Sequence, residues 1–303
     1  MKLGMFTACF PDLTLTEVAS WAAAAGYQAL EVASWPAGSD RPYTPCHLDV
    51  GSFDPEEVLG MFETRGLVLS SLAFYDNNLH PDPVMRLRVN EHLRACIDAA
   101  QKLGCPTVGT FVGRDPAKSV PENLRDAERI FAPLVEHAGE QGVSIVIENC
   151  VMEGWHPDGY PGNLAYSPEL WEWMFSLGLF LNFDPSHLVW MGIDPIAVLR
   201  SYIGNVIHVQ AKDIEVFPEA RNRFGYPGRA VGRDNPWDSG WWRYRIPGLG
   251  EIDWRRVIDV LYEGGFDGVV SVEHEDPIWS GGDEKTKAGL ELAYSTLSPL
   301  IIR

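Results

Sequence analysis

Four apolar runs in this chain each end on a residue that can offer oxygen to a metal ion. Ser144-Ile145-Val146-Ile147 runs into Glu148, and Leu179-Phe180-Leu181-Asn182-Phe183 into Asp184. Val206-Ile207-His208-Val209 runs into Gln210, and Val269-Val270-Ser271-Val272 into Glu273. Short runs rich in β-branched residues read as buried parallel strands. An ionisable group at the end of such a strand is costly unless it has a partner. Carboxylates packed together also raise one another's pKa. A divalent cation removes both costs. Three carboxylates and one amide oxygen form a hard donor set, which points to Mn²⁺ or Mg²⁺ before Zn²⁺. Taken singly, each acid reads equally well as a helix cap or a loop ion pair. Four at equivalent positions favour one shared site.

Such a site needs elements that carry four strand ends to one place. Strand signals fall at residues 2–7, 28–32, 67–72, 107–112, 143–148, 179–184, 206–210 and 268–273. Helix signals alternate with them at 14–25, 54–65, about 83–103, 121–141, 168–177, 195–202, 253–264 and 284–297. Eight βα units in succession predict a single (β/α)8 TIM barrel with its site at the C-terminal mouth. A doubly wound sheet is the runner-up, but no GxGxxG follows the first strand. No linker divides the chain, so residues 1–303 read as one domain. Two insertions stand out, 33–53 and 211–250. The second is dense in Trp, Tyr, Phe, Arg and Gly, a long aromatic insertion after strand seven. It reads as a lid or pocket wall, or equally as an oligomer contact.

Composition bounds the partners. The chain is 46% hydrophobic, enough for a full core, and its formal charge of −18 opposes nucleic acid and anionic membranes. Its five cysteines are scattered and form no CxxC pair, which points to a reducing compartment. The N-terminus shows no signal-peptide pattern, so a cytoplasmic location is expected.

Ile147-Glu148-Asn149, Asp184-Pro185-Ser186-His187, His208 through Asp213 (His-Val-Gln-Ala-Lys-Asp) and Val272-Glu273-His274 occur in that order. Together they resemble the xylose isomerase-like TIM-barrel superfamily. More closely, they are similar to its sugar phosphate isomerase/epimerase branch, which includes the ketose 3-epimerases. The segment Pro247-Gly248-Leu249-Gly250 also resembles that branch's Pro-Gly-x-Gly stretch before the last helix. The resemblance implies a metal held by Glu148, Asp184, the strand-seven position and Glu273, with the two glutamates as the acid/base pair. In that branch strand seven often reads His-x-His, whose second His binds the ion. Here Gln210 takes that position. His208 stays open as the alternative, because imidazole is the better donor and residues two apart on a strand share a face.

The resemblance also implies a substrate contact from His187 and from an arginine near Pro247, with Arg245 preferred over Arg243. Lys212 and Asp213 follow strand seven and read as a loop ion pair, or as a contact to a substrate hydroxyl or a proton relay. Trp35 follows strand two, where it packs in the core or stacks on a sugar face. Glu31 ends strand two and can reach the mouth.

The expected activity is metal-dependent isomerisation or epimerisation of a small polyhydroxy carbonyl compound through an ene-diolate. The expected cofactor is Mn²⁺, with Mg²⁺, Co²⁺ or Zn²⁺ as alternatives. The runner-up is a lyase or dehydratase acting on a keto-sugar, keto-inositol or 3-keto-glycoside. A non-catalytic sugar-binding barrel is the third reading. The expected partner is a small sugar or sugar derivative, with no nucleic acid, no membrane and a possible homo-oligomer.

Overall fold

Three helix starts in this chain are written as aspartate followed by proline: Asp54-Pro55, Asp82-Pro83 and Asp194-Pro195. Proline is preset for the first helical position and lacks the N–H that would go unpaired there. In the computed structural model each aspartate accepts from the two backbone N–H groups beyond its proline. Thr14 and Glu17 form a reciprocal capping box, and Gly26 ends that helix at φ 96°. The structure describes residues 1–39, 41, 43–226 and 238–302. The rest of the strand-seven insertion, 227–237 with Trp237, lies outside the described residues.

The strands are β1 (Lys2–Phe6), β2 (Ala29–Ala33), β3 (Val68–Asn77), β4 (Thr107–Phe111), β5 (Ser144–Glu148), β6 (Phe180–Phe183), β7 (Val206–Ala211), β8 (Asp213–Val216), β9 (Trp242–Arg245) and β10 (Val269–Val272). The helices are α1 (Leu15–Ala25), α2 (Pro55–Arg65), α3 (Pro83–Lys102), α4 (Val120–Glu140), α5 (Pro168–Ser176), α6 (Ser186–Trp190), α7 (Pro195–Tyr202), α8 (Pro218–Phe224), α9 (Trp254–Glu263) and α10 (Asp283–Leu297). Eight strands close into a parallel barrel in the order β1-β10-β7-β6-β5-β4-β3-β2. The expected barrel is therefore observed. Burial runs unbroken through strands such as β2 and β4, as parallel strands covered on both faces require.

Three features depart from the sequence reading. β3 continues to Asn77 rather than stopping near residue 72, and this lifts Tyr75 to the mouth. A short helix, α6, follows Asp184 at once and carries His187. The insertion after β7 carries regular structure: β8 and β9 pair as an antiparallel hairpin, Asp213 opposite Arg245 and Val216 opposite Trp242. Trp242 stacks on Trp190 at 5.0 Å and 16°. Trp241 and Trp242 are buried, so this part of the insertion is packed against the barrel.

The barrel interior is polar. Ser70, Asn182 and His208 lie in one buried layer, and Glu31, Tyr75 and Gln210 in another. Asn182 joins them by donating to the Tyr75 hydroxyl at 2.7 Å. Buried polar groups of this kind persist because they bond to one another.

Candidate active site

Glu148 is the last residue of β5, Asp184 follows β6, Gln210 is next to last in β7, and Glu273 follows β10. Parallel strands of a barrel end on the same rim, so the four converge. One carboxylate oxygen from each of Glu148, Asp184 and Glu273 lies within 4.8 Å of the others. All three residues are buried. A second group, Glu148, Cys150 and His187, meets the same distance and shares Glu148 with the first.

The carboxylates already have a cation among them. The Lys212 ammonium donates to Glu273 Oε2 at 2.8 Å and lies 3.1 Å from Asp184 Oδ2 and 3.9 Å from Glu148 Oε1. It also lies 3.0 Å from Glu275 Oε2 and 4.5 Å from the centre of the Tyr244 ring. Lys212 is only 2% exposed. Burial would lower its pKa, but Glu273, Glu275, Asp184 and Glu148 outweigh burial and raise it well above the usual lysine value. Burial pushes Asp184 up, yet Lys212 and His187 overcome it and hold the carboxyl down at about 2. Glu273 moves the other way: burial, helped by Glu148, Glu275 and Asp184, raises it despite Lys212.

Gln210 donates through Nε2 to Glu31 Oε1 at 3.1 Å and to the Tyr75 hydroxyl at 3.3 Å. Its Oε1 is buried and accepts no hydrogen bond, whereas Asp184 Oδ2 has Lys212 Nζ at 3.1 Å and His187 Nε2 at 3.2 Å. An unpartnered amide oxygen and three convergent carboxylates fit a divalent cation, for which Glu148, Asp184, Gln210 and Glu273 are the available donors. His208 is placed differently from the expectation that it shares the mouth. It sits about 6.6 Å deeper, two residues back along the strand. Its ring nitrogens are taken by Asn182 Oδ1 at 2.9 Å and Ser70 Oγ at 3.2 Å.

Two of the three carboxylates, Glu148 and Glu273, border a cavity of about 470 Å³. Glu148, Glu273, Lys212 and Glu275 line it below, and Phe6, Trp35, Tyr75, Phe111, Trp155 and Tyr244 line its walls. The aromatic rings touch in sequence: Phe6 to Trp35 at 6.3 Å, Trp35 to Tyr75 at 6.3 Å, Tyr75 to Phe111 at 5.1 Å and Phe111 to Trp155 at 5.5 Å. A cavity of this size with apolar walls and a few convergent polar groups suits a small organic ligand. Trp35 thus both packs and faces the cavity.

Three other expected substrate contacts are placed elsewhere. Asp213 accepts from the backbone N–H of Ile214, Gly248 and Ile252 and from Trp254 Nε1, all at 2.9–3.0 Å. It ties the start of the hairpin to the Pro-Gly-x-Gly segment. Gly248 takes φ +95° to reach it, and Gly250 passes so close that a Cβ would collide with the Asp213 carboxylate. Arg245 pairs with Asp276 at 2.8 Å and Glu215 at 2.6 Å and is not among the residues that line the cavity. His187 is fully buried behind the floor, 3.2 Å from both Glu148 and Asp184, with Nδ1 3.1 Å from the Tyr244 hydroxyl. Burial opposes its charge, but Cys150 and Asp184 raise its pKa well above the usual value. It orients two carboxylates and a phenol. Tyr75 and Tyr244 were not singled out from the sequence. Trp242 and Tyr244 alternate along one strand, which is the signal for Tyr244, whereas Tyr75 lies past the apparent end of its strand.

Comparison with known proteins agrees with this architecture. The uncharacterized protein YfiH of Bacillus subtilis (strain 168) is 26% identical over 99% of both chains. The inosose dehydratase of Clostridium tetani is 35% identical, but over 33% of this chain and 32% of its own. Among solved structures, the 3-keto-D-glucoside 4-epimerase YcjR of E. coli superposes with a TM-score of 0.67 at 15% identity, covering 97% of this chain and 99% of that one. At that identity the likeness speaks for the fold alone. Residues 19–296 match the family described as xylose isomerase-like TIM barrel. With the closed barrel and its rim of carboxylates, that match over most of the chain means that the protein belongs to the xylose isomerase-like TIM barrel family.

Proposed function

We propose that this protein is a divalent-metal-dependent isomerase or epimerase of a small polyhydroxy carbonyl compound, a sugar or sugar derivative. The observation that carries this reading is the shared floor. Glu148 and Glu273 line the same aromatic cavity, and an oxygen of Asp184 lies within 4.8 Å of an oxygen of each. Glu148, Asp184, Gln210 and Glu273 would hold the ion. When bound, it would supply positive charge for the oxyanion that develops as a proton leaves the carbon next to a carbonyl.

The chain's own groups account for the rest. One of the two glutamates takes that proton and the other returns one, on another face or carbon, which interconverts isomers through an ene-diolate. His187 fixes Glu148 from behind, and Tyr244 holds His187 in place. Phe6, Trp35, Tyr75 and Phe111 keep water from the reacting carbons and offer faces to the C–H side of a sugar ring.

A lyase reading has one observation in its favour. His187 is a buried imidazole, its pKa raised by Cys150 and Asp184 against burial, that touches both Glu148 and the cavity-lining Tyr244, a route for delivering a proton to a departing hydroxyl. A panel of ketoses, keto-inositols and 3-keto-glycosides, incubated with the Mn²⁺-loaded protein in D₂O and followed by NMR, separates the two. Deuterium incorporation with an intact skeleton supports the isomerase. Loss of water or aglycone supports the lyase. No exchange in any compound overturns both.

A further inference from the structure

Lys212 holds a place that a metal ion would also need. Its Nζ is 2.8 Å from Glu273, 3.1 Å from Asp184 and 3.9 Å from Glu148, the three residues whose oxygens lie within 4.8 Å of one another. A divalent ion bound to those oxygens sits at about 2.0–2.6 Å from each. An ammonium group and a divalent ion cannot share that volume, and two cations so close repel strongly in a buried site.

We propose that Lys212 is the resident, tethered cation of the carboxylate trio, and that a divalent ion loads only by displacing its ammonium toward Glu275 and the face of Tyr244. The proposal rests on the reading that the trio takes a metal ion.

Three observations support it. First, the trio needs a counter-charge whether or not an ion is present, because three carboxylates within 4.8 Å destabilise one another. Gln210 is neutral and does not meet that need, whereas the Lys212 ammonium lies within 4 Å of all three carboxylates. Second, Lys212 is only 2% exposed and cannot retreat into water. Third, a second seat is already built. Glu275 lies 3.0 Å from the same ammonium, its side chain is 27% exposed at the cavity, and the Tyr244 ring centre is 4.5 Å away. A small rotation of the lysine stem exchanges Asp184 and Glu273 for Glu275 alone. Once displaced, the ammonium stands at the cavity floor, where it can donate to a substrate oxygen. Without an ion, the site would thus be kept together by its own side chain, and the apparent metal affinity is reduced by the fraction of molecules in which the ammonium still sits among the three carboxylates.

The test is Mn²⁺ binding measured by calorimetry for the wild type, Lys212→Met and Lys212→Arg. Lys212→Met should bind Mn²⁺ about tenfold more tightly or better, because nothing has to be displaced. Lys212→Arg keeps the charge and should bind no more tightly than wild type. Without metal, Lys212→Met should melt below wild type, and its melting temperature should rise more on adding Mn²⁺. If wild type binds Mn²⁺ and Lys212→Met binds equally or less well, the displacement proposal fails while the metal reading stands. If neither binds Mn²⁺, Mg²⁺, Co²⁺ or Zn²⁺, both fail. Should Lys212→Met not fold, a wild-type crystal soaked in Mn²⁺ decides. The ammonium is expected to have left Asp184 and Glu273 for Glu275; an ion bound with the ammonium still touching both overturns the proposal.

Discussion

The Gln210 side chain donates its amide N–H to the Glu31 carboxylate at 3.1 Å, and this fixes which end of the amide is free. Glu31 Oε1 also accepts from Tyr75 at 2.5 Å, and an amide oxygen turned toward the ionised carboxylate would meet only lone pairs. Oε1 of Gln210 is therefore left unpartnered in the buried site. Gln210→Ala should weaken Mn²⁺ affinity, and Gln210→His should keep affinity but shift preference toward Zn²⁺ or Co²⁺. His208→Ala should leave affinity near wild type, because both imidazole nitrogens bond deeper in the barrel. Metal titration of the two alanine variants checks this. Unchanged affinity in Gln210→Ala with a large loss in His208→Ala reverses the assignment.

Glu148→Gln and Glu273→Gln should each lower turnover by about 10²–10⁴-fold, the usual contribution of general acid/base help. Both side chains line the cavity, so each is within reach of a bound substrate. The measurement is the rate of deuterium exchange in D₂O. Exchange within a few-fold of wild type in either variant removes that glutamate from the proton-transfer pair.

His208 gives the fold a pH dependence. Burial lowers its pKa to about 3 in the native state, against roughly 6.5 in the unfolded chain. Between those values the unfolded state binds a proton that the native state refuses. His208 therefore contributes stability above about pH 6.5 that is lost as pH falls toward the native value, at up to about 1.4 kcal/mol per pH unit. Urea unfolding of wild type between pH 7 and 4.5 should show this loss, and His208→Gln should show a shallower one. Equal slopes in the two proteins mean that His208 is not the group responsible.

Asp213 should matter to stability before it matters to turnover. It accepts four hydrogen bonds, three of which join β8 to the segment from Gly248 to Trp254. Asp213→Ala leaves those donors without a partner, at a cost of about 3 kcal/mol or more in urea unfolding. Gly250→Ala, whose new methyl group would collide with the same carboxylate, should destabilise as well. A variant of Asp213 with normal stability and a raised KM would instead return this residue to the substrate.

The barrel and the rim of acids are legible in the sequence because both follow from local patterns. A strand buried on both faces writes a run of apolar residues, and the residue after that run lies at the rim whatever its neighbours do. Glu148, Asp184 and Glu273 could therefore be picked out one strand at a time. The roles of Lys212, Asp213, Arg245 and His187 could not. Each lies outside the eight barrel strands, where direction is set by contacts with distant segments: Glu273 for Lys212, Gly248 and Trp254 for Asp213, Asp276 for Arg245, Tyr244 for His187. Residues 208 and 210 share a face by periodicity, but depth along the barrel axis decides which of them meets the carboxylates. Periodicity carries orientation; only the closed barrel carries depth, and the pairing of buried charges depends on that depth.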